Sequence, residues 1–244
     1  MGLDMVNYEA RAREAVRTFW HGLEHDRPTV PDADRPYPDE REDQVDEHMR
    51  GFVDLVAAIV RANGLEDAQI HFEGIQQTLP GYFRPTVQWS VLVLYKDRLV
   101  AAVGLASHVG PFANDRFDSL AERTVAAAQD FRIAYAKGAF GPRSRPFTGC
   151  LVLVEDESGS SAPASDTSRH FPVPPEFEEA SYQQRYHQLC QRLVRERLYS
   201  AACVITSLRT ALGSGQYADF GDLTGLRSFV AASAGHVAAE AARA

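Results

Sequence analysis

The sequence predicts an α/β fold, a mixed β-sheet flanked by helices. Three observations carry that reading. Val91 to Tyr95 and Leu99 to Leu105 are apolar runs of strand length joined by the polar Tyr95-Lys96-Asp97-Arg98, which makes a hairpin of two buried strands. Asp115 to Lys137 repeats Phe117, Leu120, Ala121, Val125, Ala128, Phe131 and Tyr135 every three or four positions until Gly138, the pattern of a long amphipathic helix. The whole chain reads in the order α, α, β, β, β, α, β, α, β, α, without an internal repeat.

Each element has its own signal. Asp4 to Trp20 carries Tyr8, Ala12, Ala15, Val16 and Phe19 at helical spacing. Residues 25–47 hold four prolines and a surplus of acids without apolar periodicity, an exposed loop that serves either as a partner-binding segment or as a solvated insertion. Met49 to Ala62 puts Met49, Phe52, Val53, Val56, Ile59 and Val60 on one helix face, and Asn63-Gly64 stops it. Ala68 to Gly74 alternates as a strand. Leu79-Pro80-Gly81-Tyr82-Phe83-Arg84-Pro85 is a turn-rich link into the hairpin. After the long helix, Gly141 to Pro146 is a loop, and Phe147 to Val154 is a buried strand. Residues 155–180, rich in Ser, Pro and Asp, form a second exposed loop. Ser181 to Leu198 is a helix with Tyr182, Tyr186, Leu189 and Leu193 inward, Ala201 to Thr206 a short strand, and Leu223 to Ala242 a closing alanine-rich helix.

At 244 residues the chain suffices for one substantial domain, and 45% hydrophobic with 24% charged residues is ordinary for a soluble globular protein. No apolar run approaches the roughly 18 residues that would span a bilayer, so no membrane is expected. The N-terminus lacks a basic segment followed by an apolar one, so no signal peptide is read. The three isolated cysteines, Cys150, Cys190 and Cys203, suggest reduced, core-packed thiols and a cytoplasmic protein. A formal charge of -8 argues against a non-specific nucleic-acid binder and leaves room for a specific one with a local basic cleft.

Several stretches resemble the XhoI family of type II restriction endonucleases. They are Ile59 to Leu65, Leu79-Pro80-Gly81-Tyr82-Phe83-Arg84-Pro85-Thr86, Val109-Gly110-Pro111, Ala134-Tyr135 through Gly138-Ala139-Phe140-Gly141, Leu153-Val154-Glu155-Asp156, His170-Phe171-Pro172-Val173, Cys190 to Val194 and Leu226 to Val230. The resemblance runs from the first helix to the last. It implies a restriction-endonuclease-like fold over 1–244, and a homodimer that reads a short palindromic duplex and cuts it with magnesium. The family pattern it implies is an Asp on the first hairpin strand and Glu-x-Lys on the second. Carboxylate oxygens there hold a divalent metal, which activates water and neutralises developing charge.

On this chain the Asp position is Ser90, the Glu position Gly104 and the Lys position Ala106, with His108 at the following site, usually Gln. Strand alternation puts Gly104, Ala106 and His108 on one face. The two lysines of the chain, Lys96 in the hairpin turn and Lys137 at the end of the long helix, are both poorly placed to substitute. Metal-dependent cleavage is therefore not expected, and neither a metal nor a cofactor is assigned. Asn114-Asp115-Arg116-Phe117-Asp118-Ser119 adds carboxylates where the family resemblance implies an Asn-rich stretch.

Three functions stay open at this point. The first is a non-cutting duplex-DNA-binding homodimer, with Arg84, Arg116, Arg143 and Arg145 as candidate contacts, each of which is otherwise a solvated surface charge. The second is a fold repurposed for metal-independent chemistry on a small molecule, for example in specialised-metabolite biosynthesis. Its cavity would be lined by Ser90, Gly104, Ala106, Ser107 and His108. His108 would be the acid-base residue, Ser90 or Tyr95 would orient substrate, and Asp115 or Asp118 would orient the histidine. The bland alternative for His108 is a hydrogen-bonded structural histidine. The third is a scaffold or inhibitory partner of an active homologue.

Overall fold

A computed structural model describes residues 3–5, 7–25, 47–73, 77–141, 144–221 and 223–244. The expected loop over 25–47 lies outside the described residues, apart from His25 and Glu47 at its ends. Helices are α1 (Tyr8–His25), α2 (Arg50–Ala62), α3 (Asn114–Ala136), the single turn α4 (Ser158–Ser161), α5 (Tyr182–Arg195) and α6 (Leu226–Ala241). Strands are β1 (Gln69–His71), β2 (Thr78–Pro80), β3 (Thr86–Gln88), β4 (Val91–Tyr95), β5 (Arg98–His108), β6 (Phe147–Glu155), β7 (Ala201–Ser207) and β8 (Ala218–Asp219).

Six strands form one mixed sheet in the order β1-β4-β5-β6-β7-β8, and β2 with β3 makes a separate two-stranded ladder. The pairs β1–β4, β4–β5 and β7–β8 are antiparallel, while β5–β6 and β6–β7 are parallel. This mixed sheet flanked by helices is the predicted class and is consistent with a restriction-endonuclease-like fold.

The hairpin is fixed at its turn. Lys96 and Asp97 both take positive φ, +47° and +59°, and Tyr95 faces Arg98. Such a two-residue turn matches the right-handed twist of the strands it joins. β5 runs on to His108, three residues past the predicted end, because it pairs in parallel with β6 from Ala101–Phe147 to His108–Val154.

The sheet separates two apolar clusters. Under α1, α2 and α6 lie Val91, Val93, Val103, Leu105, Leu151, Leu153, Cys203 and Ile205. Under α3 and α5 lie Leu92, Ala102, Cys150, Val152, Val154, Ala202 and Val204, with Ala106 at the margin. Successive residues fall in opposite clusters, as the period of two requires, except at Val100 and Ala101 of β5, which share a cluster where the hairpin register shifts. Gly51 lets α1 and α2 cross closely, since a Cβ there would sit 2.5 Å from Ala15 Cα.

Several boundaries differ from the sequence reading. The α1 helix continues five residues past Trp20. Of the expected 68–74 strand, residues 69–71 pair, against β4, and among the described residues 68, 72 and 73 do not. The link over 79–85 is closed by the β2–β3 ladder, in which Leu79 faces Val87 and Pro80 faces Thr86. Within 155–180 the structure adds α4 and a 3-10 turn at Pro175–Phe177. Val125 is exposed rather than inward: at 100° per residue it lies about 80° round the helix from Phe117, on the flank of the apolar stripe.

Candidate functional site

Ser90 immediately precedes β4 and stands beside the middle of β5. Its hydroxyl accepts a hydrogen bond from Leu105 N at 2.8 Å and donates one to Leu105 O at 3.2 Å. The side chain therefore stands in for a ladder partner where β4 begins. Ser90, Gly104, Ala106 and His108 all alternate onto the α3/α5 face of the sheet. Gly104 is open: an added Cβ would meet only Gly149 O, at 3.9 Å.

His108 ends β5 and is 1% exposed. Its Nδ1 shares a hydrogen bond of 2.7 Å with the Tyr186 hydroxyl, while Nε2 is buried without a hydrogen-bond partner. Phe112, Tyr182 and Tyr186 enclose the ring at centroid distances of 4.4, 5.9 and 5.6 Å. Burial pushes the His108 pKa down to about 4, against smaller upward pulls from the Pro111 carbonyl and Asp115. At neutral pH the ring is therefore uncharged. The same burial raises the Tyr186 phenol far above its ordinary range.

A polar clasp closes this end of the face. Arg185, 2% exposed, donates to Ala180 O, to Asn114 Oδ1 at 3.1 Å and to Ala164 O at 2.7 Å, and it is ion-paired with Asp166. Tyr182 also donates to Asn114 Oδ1 at 2.7 Å, and Asn114 Nδ2 donates to Asp166 Oδ1 at 2.7 Å. The stretch from Ala164 to Ala180 is thus tied to the first residue of α3, beside His108. Sequence reasoning missed this hub. A signal was present, since Arg185 falls in the Tyr182–Tyr186–Leu189 stripe of α5, where a charge must find partners.

The remaining predicted residues are scattered. Asp115 is exposed in the first turn of α3 and accepts from Arg116 N at 2.9 Å; Asp118 follows one turn on. Tyr95 sits at the hairpin turn. It faces Arg98, ten residues before His108 on β5, or about 33 Å away along the strand. The structure therefore does not bring Tyr95 to Ser90 or His108.

Arg116 donates to Val109 O at 2.8 Å, close to the His108 end. Arg84 meets Asp130 on α3 at 2.8 Å, fourteen residues from Arg116 or about 21 Å along the helix. Arg145 precedes β6 by two residues, level with the hairpin turn, and its Nη2 reaches the carbonyl of Arg197, at 3.2 Å, beyond the end of α5. Arg143 lies outside the described residues. The described candidate arginines, Arg84, Arg116 and Arg145, thus occupy different parts of the α3/α5 side and do not converge on Ser90.

The buried carboxylate of Asp130 is the other site that sequence reasoning missed. It accepts from Tyr82 N at 3.0 Å, Phe83 N at 2.7 Å and Arg84 Nε at 2.8 Å. Burial would raise its pKa, but these donors outweigh burial and hold it below the usual carboxylate range. No group of three or more His, Cys, Asp or Glu side chains that could hold a metal ion occurs among the described residues. The donor set around Ser90, Gly104 and Ala106 does not fit magnesium, which requires carboxylate oxygens. No helix among them is long and apolar enough to cross a membrane.

The family model for restriction endonuclease XhoI matches residues 41–219. The chain is 42% identical over 200 residues to the type II restriction enzyme XhoI of Xanthomonas vasicola, covering 80% of this chain and 78% of that one. It is 44% identical over 171 residues to the type II restriction enzyme AbrI of Azospirillum brasilense, covering 70% and 77%. It is 35% identical over 199 residues to the type II restriction enzyme BstVI of Geobacillus stearothermophilus, covering 80% and 88%. No solved structure matches the chain.

Proposed function

The chain belongs to the XhoI restriction endonuclease family, and from that premise we propose that it binds duplex DNA as a homodimer without cutting it by the magnesium mechanism. The observation that carries this reading is the chemistry of three positions on an otherwise intact hairpin. Phosphodiester hydrolysis by a divalent metal needs oxygen ligands and a group that positions water. Ser90 commits its hydroxyl to Leu105, and Gly104 and Ala106 offer neither charge nor oxygen. The strands that would carry an active centre keep their pairing, so the frame outlasts the reactive groups.

The small-molecule reading gains no comparable support. A substrate-facing role for His108 would require the ring of Phe112, Tyr182 and Tyr186 to open.

The test is a gel shift at fixed, near-physiological salt on random-sequence duplexes and on the duplex recognised by the Xanthomonas relative, with and without magnesium. Salt is fixed because phosphate contacts dominate affinity. The expected result is a specific complex and intact DNA. Magnesium-dependent cleavage by the natural sequence would overturn the non-cutting part, and no complex on any duplex would overturn the DNA-binding part. The triple variant Ser90→Asp, Gly104→Glu, Ala106→Lys extends the test. A Cβ at Gly104 would meet only Gly149 O, at 3.9 Å, so a side chain can start there without displacing backbone, and this variant is expected to gain magnesium-dependent cleavage.

A further inference from the structure

The loop between β2 and β3 is built more firmly than its size requires. Gly81 N donates to Pro85 O at 3.3 Å, and the β2–β3 ladder closes behind it. A Cβ at Gly81 would lie 2.4 Å from Arg84 O, so only glycine fits. From the other side Asp130, its side chain 2% exposed, binds the next two amides and the Arg84 guanidinium. Ordering a loop costs conformational entropy, and what this one holds outward is an aromatic pair. Tyr82 is 50% exposed and Phe83 70% exposed, their rings edge to face at 5.0 Å. Single exposed apolar residues are ordinary, but two adjacent rings on a fixed tip form a contact surface.

The charge around the tip indicates what it meets. Arg123 and Asp130 on α3 and Lys137, the residue that caps its C-terminus, are seven residues apart and share one face, spanning about 21 Å. That length is about six base-pair steps of a duplex. Arg123 and Lys137 are exposed, and the aromatic tip stands over Asp130 between them. From Arg123 to Arg145 the sequence holds five basic residues and one acid, Asp130, in a chain of net charge -8. The helix dipole accounts for a cation at the C-cap, Lys137, but Arg123 lies more than three turns before the end of α3.

Resting on the DNA-binding reading above, the geometry points to the Tyr82–Phe83 tip as a wedge that inserts against a base step of duplex DNA, with Arg84, Arg123 and Lys137 on the flanking phosphates. Apolar side chains entering a base step unstack it and bend the duplex, which brings more phosphate to the protein. Asp130 is the positioning residue: it touches no DNA and fixes the direction in which the wedge points.

The experiment titrates the full-length protein and its Tyr82→Ala/Phe83→Ala variant against a duplex carrying 2-aminopurine at successive positions. Fluorescence anisotropy reads affinity, 2-aminopurine emission reads unstacking, and sedimentation reads oligomeric state. The natural protein is expected to raise emission at one step. The variant should lose that rise and bind at least about tenfold more weakly, with its melting temperature and oligomeric state retained. Natural protein that binds duplex with no emission rise, or a variant that binds equally well, would overturn the wedge and leave the DNA-binding reading standing. Failure of the natural protein to bind any duplex would overturn both. A variant that binds as tightly per dimer but no longer dimerises would reassign the tip to a second copy of the chain. Asp130→Asn separates position from contact, since it should weaken binding and blur the emission over neighbouring steps without removing either ring.

Discussion

The Ser90–Gly104–Ala106 end of β5 and the Tyr82–Arg84 loop lie on the same side of the sheet, and their side chains are spent in opposite ways. At the first, a hydroxyl is bound to backbone, and a hydrogen and a methyl line the strand. At the second, one buried carboxylate gathers three donors from a segment 46 to 48 residues away in sequence. The first is mainly a backbone frame: β6 pairs with β5 through to His108, and on the other edge, where β4 pairs only as far as Val103, the Ser90 hydroxyl continues the bonding at Leu105. The second depends on a single side chain. Chemistry can be removed from the first without loss of fold, whereas removal of Asp130 dismantles the second.

The largest expected effect follows from that contrast. Asp130→Ala leaves the Tyr82 and Phe83 amides and the Arg84 guanidinium without their acceptor, and a fully buried hydrogen bond to a charged group contributes about 1.5–3 kcal/mol net. Because Arg84 is 48% exposed and rehydrates, the net loss expected in urea unfolding is about 2–3 kcal/mol. The sign with pH is fixed as well. A carboxyl whose folded pKa is depressed contributes stability that is present above its unfolded value near 3.9 and is lost as pH falls through the lower folded value. The natural protein should therefore lose more stability below about pH 4 than Asp130→Asn does. Equal acid sensitivity would show that the carboxylate is not what fixes the loop.

His108 sharpens the comparison from the other end. Its folded pKa of about 4 lies below the ordinary 6.5 because burial disfavours the imidazolium. Between those values the unfolded chain takes up a proton that the folded chain refuses. Stability is thus full above pH 6.5 and falls as pH drops toward 4. From pH 7.5 to pH 5 the loss from this group is on the order of 2 kcal/mol. Replacing His108 by Gln should flatten that slope in urea unfolding curves, whatever it does to stability at pH 7.5. An unchanged slope would mean that the ring can protonate in the folded state and is more accessible than its aromatic enclosure implies.

The hairpin was legible in the sequence because strand alternation and a two-residue polar turn are local signals, and Lys96 and Asp97 take the positive φ values that such a turn demands. The shared face of Gly104, Ala106 and His108 followed from the same period of two. The β2–β3 ladder was not legible, because three-residue strands have no period of their own. Their register is reinforced by Trp89 N donating to Gln77 O and by the Asp130 clasp. The two-residue β8 has the same problem; it is a strand only because Ala218 and Asp219 reach Thr206 and Ile205. Asp130 gave no signal, since every donor it binds comes from another element. Arg185 gave one, as a charge within an apolar stripe. Tyr95 shows the converse: it is close to Ser90 in sequence, yet it ends β4 at the hairpin turn and faces Arg98, at the end of β5 away from His108.

The smallest expected effect is at Gly104. A central strand position occupied by glycine gives up packing and conformational restriction. Where a Cβ fits without strain, alanine is more stable by roughly 0.5–1 kcal/mol. Here the nearest atom to such a Cβ is Gly149 O at 3.9 Å, an ordinary contact. Gly104→Ala should therefore raise the urea midpoint slightly. Gly81→Ala, whose Cβ would lie 2.4 Å from Arg84 O, should lower it and loosen the aromatic tip. If Gly104→Ala instead destabilises the protein, the space beside β5 is already in use. The hairpin would then not be a vacant frame able to take back a carboxylate, and the triple variant would have no ground for regaining cleavage.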